Sequence, residues 1–236
     1  MLNRGARDYE TIVSCLGDQL NVRELARPKH LIVVREYRFC FDRAGAAINL
    51  VVDGNQFTSR IMERVRSDEG LAYDASSTFP AGTYYESVFS AGFQSKSPSV
   101  AQAISIVIEE MERLRTTKVG AEELSVAINH AVEILPGRFS TAGQKTAQFA
   151  NDFYTRLPQD YWQKYRQRVS AVTVDELQRV ARKYLQPDKL VILAVGDVDT
   201  MLGGNPDRPQ FSIAKLAGVR GVIRIPLPDP FTMVYP

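Results

Sequence analysis

Histidine and cysteine are almost missing from this chain. Its 236 residues include only His30, His130, Cys15 and Cys40 of these types. Two cysteines are too few for a disulfide framework or a zinc ribbon and read as free thiols. Two histidines a hundred positions apart cannot build a histidine-rich zinc site, so no metal ligand is expected in this chain. An excess of one charge is also missing: 29 Lys and Arg face 27 Asp and Glu. With both signs interspersed, there is none of the basic patch that a dedicated nucleic-acid binder needs. No apolar run is long enough to cross a bilayer, and residues 1–8 are not followed by the apolar core of a signal peptide. As written, the chain is expected to be soluble and to stay in the cytoplasm. No tandem repeat is visible.

What is present is the composition of an ordinary globular protein, 44% hydrophobic and 24% charged, long enough for one large domain with a sizeable core. Residues 9–20 set Ile12, Val13, Leu16 and Leu20 at helical spacing, with Asp8 as a cap. The run 31–34 reads as a buried strand and Phe39, Cys40 and Phe41 as a second. His30, beside the first, has no second ligand at a workable spacing. Residues 42–52 fit a helix with Ala44, Ala47, Ile48 and Val51 inward, leading to the loop Gly54-Asn55-Gln56.

The most informative stretch is 54–79. Thr58 or Ser59 can cap a helix whose apolar residues Phe57, Ile61, Met62 and Val65 recur at three and four, and Gly70 supplies its left-handed terminus. From Leu71 the period becomes two: Leu71, Tyr73, Ala75, Ser77 and Phe79 on one strand face, Asp74, Ser76 and Thr78 on the other. A chain that turns back at Gly70 brings Arg66 and Tyr73 to one end of a sheet. A guanidinium and a phenol held there are fixed donors of the kind that suits a peptide carbonyl gaining negative charge. The bland reading is a surface arginine beside a half-buried tyrosine.

Pro80-Ala81-Gly82-Thr83 joins two alternating runs as a hairpin. After Pro98 a helix carries Ala101, Ile104, Val107, Ile108, Met111 and Leu114 inward, with Glu109, Glu110, Glu112, Arg113 and Arg115 on its wet face. A helix from Gly120 should end or kink at Pro136. It contains His130-Ala131-Val132-Glu133, but Ile134 stands where an inverted zinc motif needs its second histidine, so His130 is read as non-catalytic. Helical spacing resumes over 141–154 and 158–169, where Trp162 and Tyr165 pack inward. Thr173 and Glu176 form a capping box for a further helix. Residues 190–195 read as a buried central strand, and Pro226, Pro228 and Pro230 as an extended tail.

Phe57-Thr58-Ser59-Arg60, Val65-Arg66 and Gly70-Leu71-Ala72-Tyr73 resemble the second half of the pitrilysin/insulinase family of zinc metallopeptidases. The likeness continues from about Arg43 to the C-terminus through residues 82–93, 172–177, 181–185 and Val195-Gly196-Asp197. In that family two similar halves close like a clamshell, the first bearing an inverted His-x-x-Glu-His zinc motif and the second an Arg and a Tyr, seven residues apart, that hold the substrate. Arg66 and Tyr73 match that pair. The resemblance departs upstream of Gly54, where relatives place a full strand and a longer helix, and the short 54–56 loop is unlike the long glycine-rich loop of the processing-peptidase alpha subunit. Bacterial relatives often carry an export signal, so a periplasmic address is the alternative if such a signal has been lost.

Hairpins, then a run of helices, then a returning strand predict an α+β domain, a mainly antiparallel sheet with helices packed on one face. The expected division is an abbreviated N-terminal segment, 1–41, a peptidase-family C-terminal-half domain, 42–200, and an extended tail, 201–236. The resemblance implies a chain without catalytic residues or cofactor of its own. It would hold a peptide substrate through Arg66 and Tyr73 for a zinc-bearing homologous subunit or N-terminal half, as a hetero- or homodimer. Two other readings stand beside it: a non-proteolytic structural subunit like the core proteins of the respiratory cytochrome complex, and a free-standing peptide-binding domain using a sheet edge.

Overall fold

The computed structural model describes residues 10–15, 33–37, 60–78, 87–218, 221–226, 228–229 and 231–234. Among the described residues six strands, β1 (Glu10–Cys15), β2 (Val33–Tyr37), β3 (Ala72–Thr78), β4 (Ser87–Ser95), β5 (Val191–Gly196) and β6 (Ile223–Ile225), form two three-stranded ladders, in the orders β5-β1-β6 and β2-β4-β3. All described pairings are antiparallel, and the ladders adjoin where β2 approaches β5. This is the α+β class expected from the order of the elements.

Between β4 and β5 run five helices, α1 (Val100–Thr116), α2 (Ala121–Glu133), α3 (Ala142–Thr155), α4 (Tyr161–Ser170) and α5 (Val174–Tyr184); α6 (Val198–Gly203) and α7 (Ile213–Ala217) follow β5. Helix α1 is the hub. Its inward stripe is the one the sequence predicts, with Ala101, Ile104, Val107, Met111 and Leu114 all buried. The main core packs Ala72, Ala75, Phe89 and Ala91 of β3 and β4 against α1 and α5. A second core joins Val100, Ala101 and Ile104 of α1 to Ile192 and Ala194 of β5 and to α6 and α7. Pro136 ends α2 in a 3-10 turn, Leu135–Phe139, and the Thr173–Glu176 capping box opens α5 with both of its bonds made.

Three local readings change. Glu10–Cys15 is a strand where helical spacing suggested a helix. The run Thr11-Ile12-Val13 is β-branched, and pairing with both β5 and β6 rewards an extended backbone that a short apolar run leaves undecided. Among the described residues strand β5 pairs with β1 and approaches β2, but it is not buried throughout: its burial alternates, with Ile192 and Ala194 inside and Val195 exposed. Glu110, assigned to the wet face of α1, is completely buried. The expected elements at 39–41, 42–52 and 80–83, the loop 54–56 and the caps at Thr58 and Ser59 lie outside the described residues, as do His30 and Cys40. Beyond Asp197 the chain packs: Val198, Met201, Ile213 and Ala217 are buried, and β6 pairs with Thr11, Ile12 and Val13.

Candidate functional site

The site is built on the turn between the helical segment from Arg60 and β3. Ile61 and Val65, one turn apart, are buried in the main core, and this burial of two branched side chains, worth roughly 1.5–3 kcal/mol each, seats the segment. Over Glu63–Asp68 the helix widens to π geometry, and the amide of Glu69 reaches back to the carbonyl of Arg64 at 3.1 Å. Such widened turns concentrate at functional sites. Gly70 then takes φ +61°, as the sequence predicts, while its amide donates to the Arg66 carbonyl at 3.1 Å and that of Leu71 to the Val65 carbonyl at 2.7 Å. These bonds satisfy carbonyls that a helix end otherwise leaves open.

The strand that follows carries a bulge. Ala72 pairs with Ser95 and Ala75 with Phe93, so β3 has one residue more than β4 between these pairs. The extra residue breaks the alternation at Tyr73 and Asp74, which both face solvent, while Ala75 and Ser77 are buried. Tyr73 therefore does not share a face with Ala75 and Ser77, contrary to the uninterrupted alternation read from the sequence. Bulges serve to re-aim side chains in this way. The amide of Ala75, displaced from the regular ladder, donates to the thioether sulfur of Met62 at 3.1 Å.

The result brings Arg66 and Tyr73 together. The guanidinium carbon lies 5.0 Å from the centre of the Tyr73 ring, a cation–π stack worth about 0.5–1 kcal/mol at an exposed site. Tyr73 is 81% exposed, so its hydroxyl is open to a ligand. Among the described residues Arg66 forms no ion pair, and its N–H donors remain available beside the ring.

Sequence reasoning missed what anchors the pair. Arg60 and Arg64 occupy the other side of the same helical segment. Arg60 makes a bidentate contact with Glu123 at 2.6 and 2.7 Å. Arg64 bonds Glu109 and Glu110, each at 2.9 Å. Glu110 also accepts from Arg113 at 2.7 Å and lies 3.7 Å from Arg60. Its Oε1 thus serves two guanidiniums, while Oε2 is buried without a hydrogen bond. The Glu123 hydrogen bond raises the pKa of Arg60 against the opposing effect of burial. For Arg64 burial is the largest effect and lowers the pKa, but the bonds to Glu109 and Glu110 together outweigh it. Arg64 is therefore part of the support. Glu69 adds a second tether, accepting from buried Gln102 at 2.9 Å and pairing with Arg208 at 3.5 Å. The signal for these contacts in the sequence is only the four-residue repeat Arg60, Arg64, which nothing local assigns to α1 and α2.

A Cβ added at Gly70 would meet nothing within 4 Å, so Gly70→Ala is expected to cost only the left-handed backbone penalty, about 1–2 kcal/mol. Urea denaturation checks this, and a stabilised variant would show that the turn does not need glycine. Among the described residues no group of three or more His, Cys, Asp or Glu is placed to hold a metal ion, and no helix is long and apolar enough to cross a membrane. His130, on α2, belongs to no metal cluster among them.

In fold the chain is like several solved structures of bacterial origin. The profile of the Peptidase M16 inactive domain matches residues 46–130, which include the whole Arg60–Tyr73 turn. The chain is similar in structure to a peptidase M16 inactive domain from Pseudomonas fluorescens, with 18% identity, a TM-score of 0.57, and coverage of 79% of this chain and 41% of that one. It is also similar to a protease from Helicobacter pylori, with 16% identity, a TM-score of 0.57, and coverage of 81% and 42%. A third likeness is to the inactive peptidase domain of a proposed zinc protease from Bordetella parapertussis, with 13% identity, a TM-score of 0.55, and coverage of 82% and 92%. The chain spans about two fifths of the length of the first two. No curated protein sequence matches it. The resemblance to the second half of the pitrilysin/insulinase peptidases is thus matched by the inactive-domain profile over residues 46–130.

Proposed function

We propose that this chain is the non-catalytic, substrate-holding half of a two-part zinc metallopeptidase, with Arg66 and Tyr73 donating to the backbone of a bound peptide. The observation that carries this reading is the stack of the Arg66 guanidinium 5.0 Å over the exposed Tyr73 ring, on a turn tied to α1 and α2 by ion pairs. Donors fixed before the substrate arrives need not reorganise as charge develops on a carbonyl, which is where such groups have their largest effect. The zinc and the base that works on its water belong, in this reading, to a homologous half with the His-x-x-Glu-His motif, in a separate subunit or a preceding stretch of the same protein.

The pairing is testable by sedimentation. The chain is expected to form a dimer, or a complex with a zinc-bearing homologue, at micromolar concentrations, and the complex to cleave peptides in a chelator-sensitive way while the chain alone does not. A stable monomer that ignores the zinc-bearing subunit would favour a scaffold role instead.

A further inference from the structure

A groove of about 470 Å³ opens between the two ladders, and Asp74, next in sequence to Tyr73, is among its lining residues. Residues 92–95 of β4 and 193–196 of β5 line it, with Val100, Ile104 and Met201, all buried, at its deeper part and exposed Asp74 and Ser76 at its mouth. Each strand is engaged on another side: β4 pairs with β3 from Ser90 to Ser95, and β5 pairs with β1 along its length. Among the described residues strand β2 covers β4 from Ser87 to Ser90 and also approaches β5, and the strand stretches 92–95 and 193–196 border the groove. An extended peptide is the ligand that such borders recognise, through main-chain hydrogen bonds along its length.

Charge narrows the ligand further. Asp74 is the one charged residue among those lining the groove, and it forms no ion pair or hydrogen bond among the described residues. The bulge that turns Tyr73 outward also places Asp74 at the groove mouth, so both positions depend on the same extra residue. We propose that the groove takes an extended peptide segment carrying a basic side chain, whose cation pairs with Asp74. This rests on the peptide-holding reading above and adds a preference for charge that Arg66 and Tyr73, as backbone donors, do not supply.

The test uses the isotopically labelled full chain and two capped pentapeptides, Thr-Val-Lys-Val-Thr and the same peptide with norleucine replacing the lysine, titrated at low salt and followed by backbone amide shifts. The lysine peptide is expected to bind about two- to fivefold tighter, with shifts concentrated at residues 92–95 and 193–196, and the advantage to shrink as salt screens the pair. Asp74→Asn should abolish the advantage while leaving norleucine-peptide binding unchanged. Equal affinity for the two peptides, a lysine preference that survives in Asp74→Asn, shifts that avoid the groove, or no binding of either peptide would each overturn the proposal. Equal affinities with groove shifts would do so while leaving the peptide-holding reading intact. That reading is tested separately by Arg66 and Tyr73 variants, which do not touch the charge preference.

Discussion

Replacing Glu110 with alanine is expected to destabilise the protein by about 3 kcal/mol, at the lower end of what breaking a buried ion pair costs, and to lower Tm by about 6–12 °C for a chain of this size. Glu110 is fully buried, and its carboxylate touches three guanidiniums. Removing it leaves a cavity and deprives Arg60, Arg64 and Arg113 of a shared counter-charge. Two considerations hold the cost to the lower end. The arginine side chains are 20%, 30% and 60% exposed, so water reaches them, and Arg60 and Arg64 keep Glu123 and Glu109. By contrast Arg113→Ala, which removes the most exposed partner, should cost under about 1 kcal/mol. Thermal and urea denaturation of the two variants provide the comparison. If Glu110→Ala melts within a degree or two of the parent, the cluster contributes nothing net and its carboxylate is no anchor.

The second large effect is on catalysis and follows from the proposed role of the Arg–Tyr pair. In a complex reconstituted with the zinc-bearing half, Tyr73→Phe should lower kcat by about a hundred- to a thousandfold, the usual loss when one preorganised donor to a developing oxyanion is removed. The ring, its stack under Arg66 and the fold all survive this change, because the side chain is largely exposed and only a hydroxyl is lost. Arg66→Lys keeps the charge but loses the planar fork, so it should fall short of full activity. Arg64 cannot serve as the neutral control, since it holds Glu109 and Glu110. Exposed Arg179 on α5 is the suitable one, and Arg179→Ala should leave turnover unchanged. Near-parental kcat in both Tyr73→Phe and Arg66→Lys would reduce the pair to surface structure.

The two effects are linked through the helical segment from Arg60 to Asp68. One side is buried through Ile61 and Val65, a second is tied through Arg60 and Arg64, and Arg66 stacks on Tyr73. Loosening the second side by Glu110→Ala should therefore also weaken the Arg66–Tyr73 stack.

Much of this protein is determined by local sequence. The stripe of α1, the Thr173–Glu176 capping box, the stop at Pro136, left-handed Gly70 and the change of period after Leu71 are all short-range signals. A helix face, a cap or a turn depends on residues a few positions apart. The arginine and tyrosine seven residues apart were legible for the same reason, and the resemblance they carry is matched by the family profile over 46–130. Tertiary structure alone decided the rest. Residues 10–15 became a strand because β5 and β6, some 180 and 210 residues later, offer backbone partners. Tyr73 left the face of Ala75 because register with β4 inserted a bulge, and period counting assumes no extra residue. Glu110 went inside because Arg60, Arg64 and Arg113 converge on it. A glutamate among charged helix residues looks solvated until those partners, two of them 46 and 50 positions away, are brought within bonding distance to offset its loss of water.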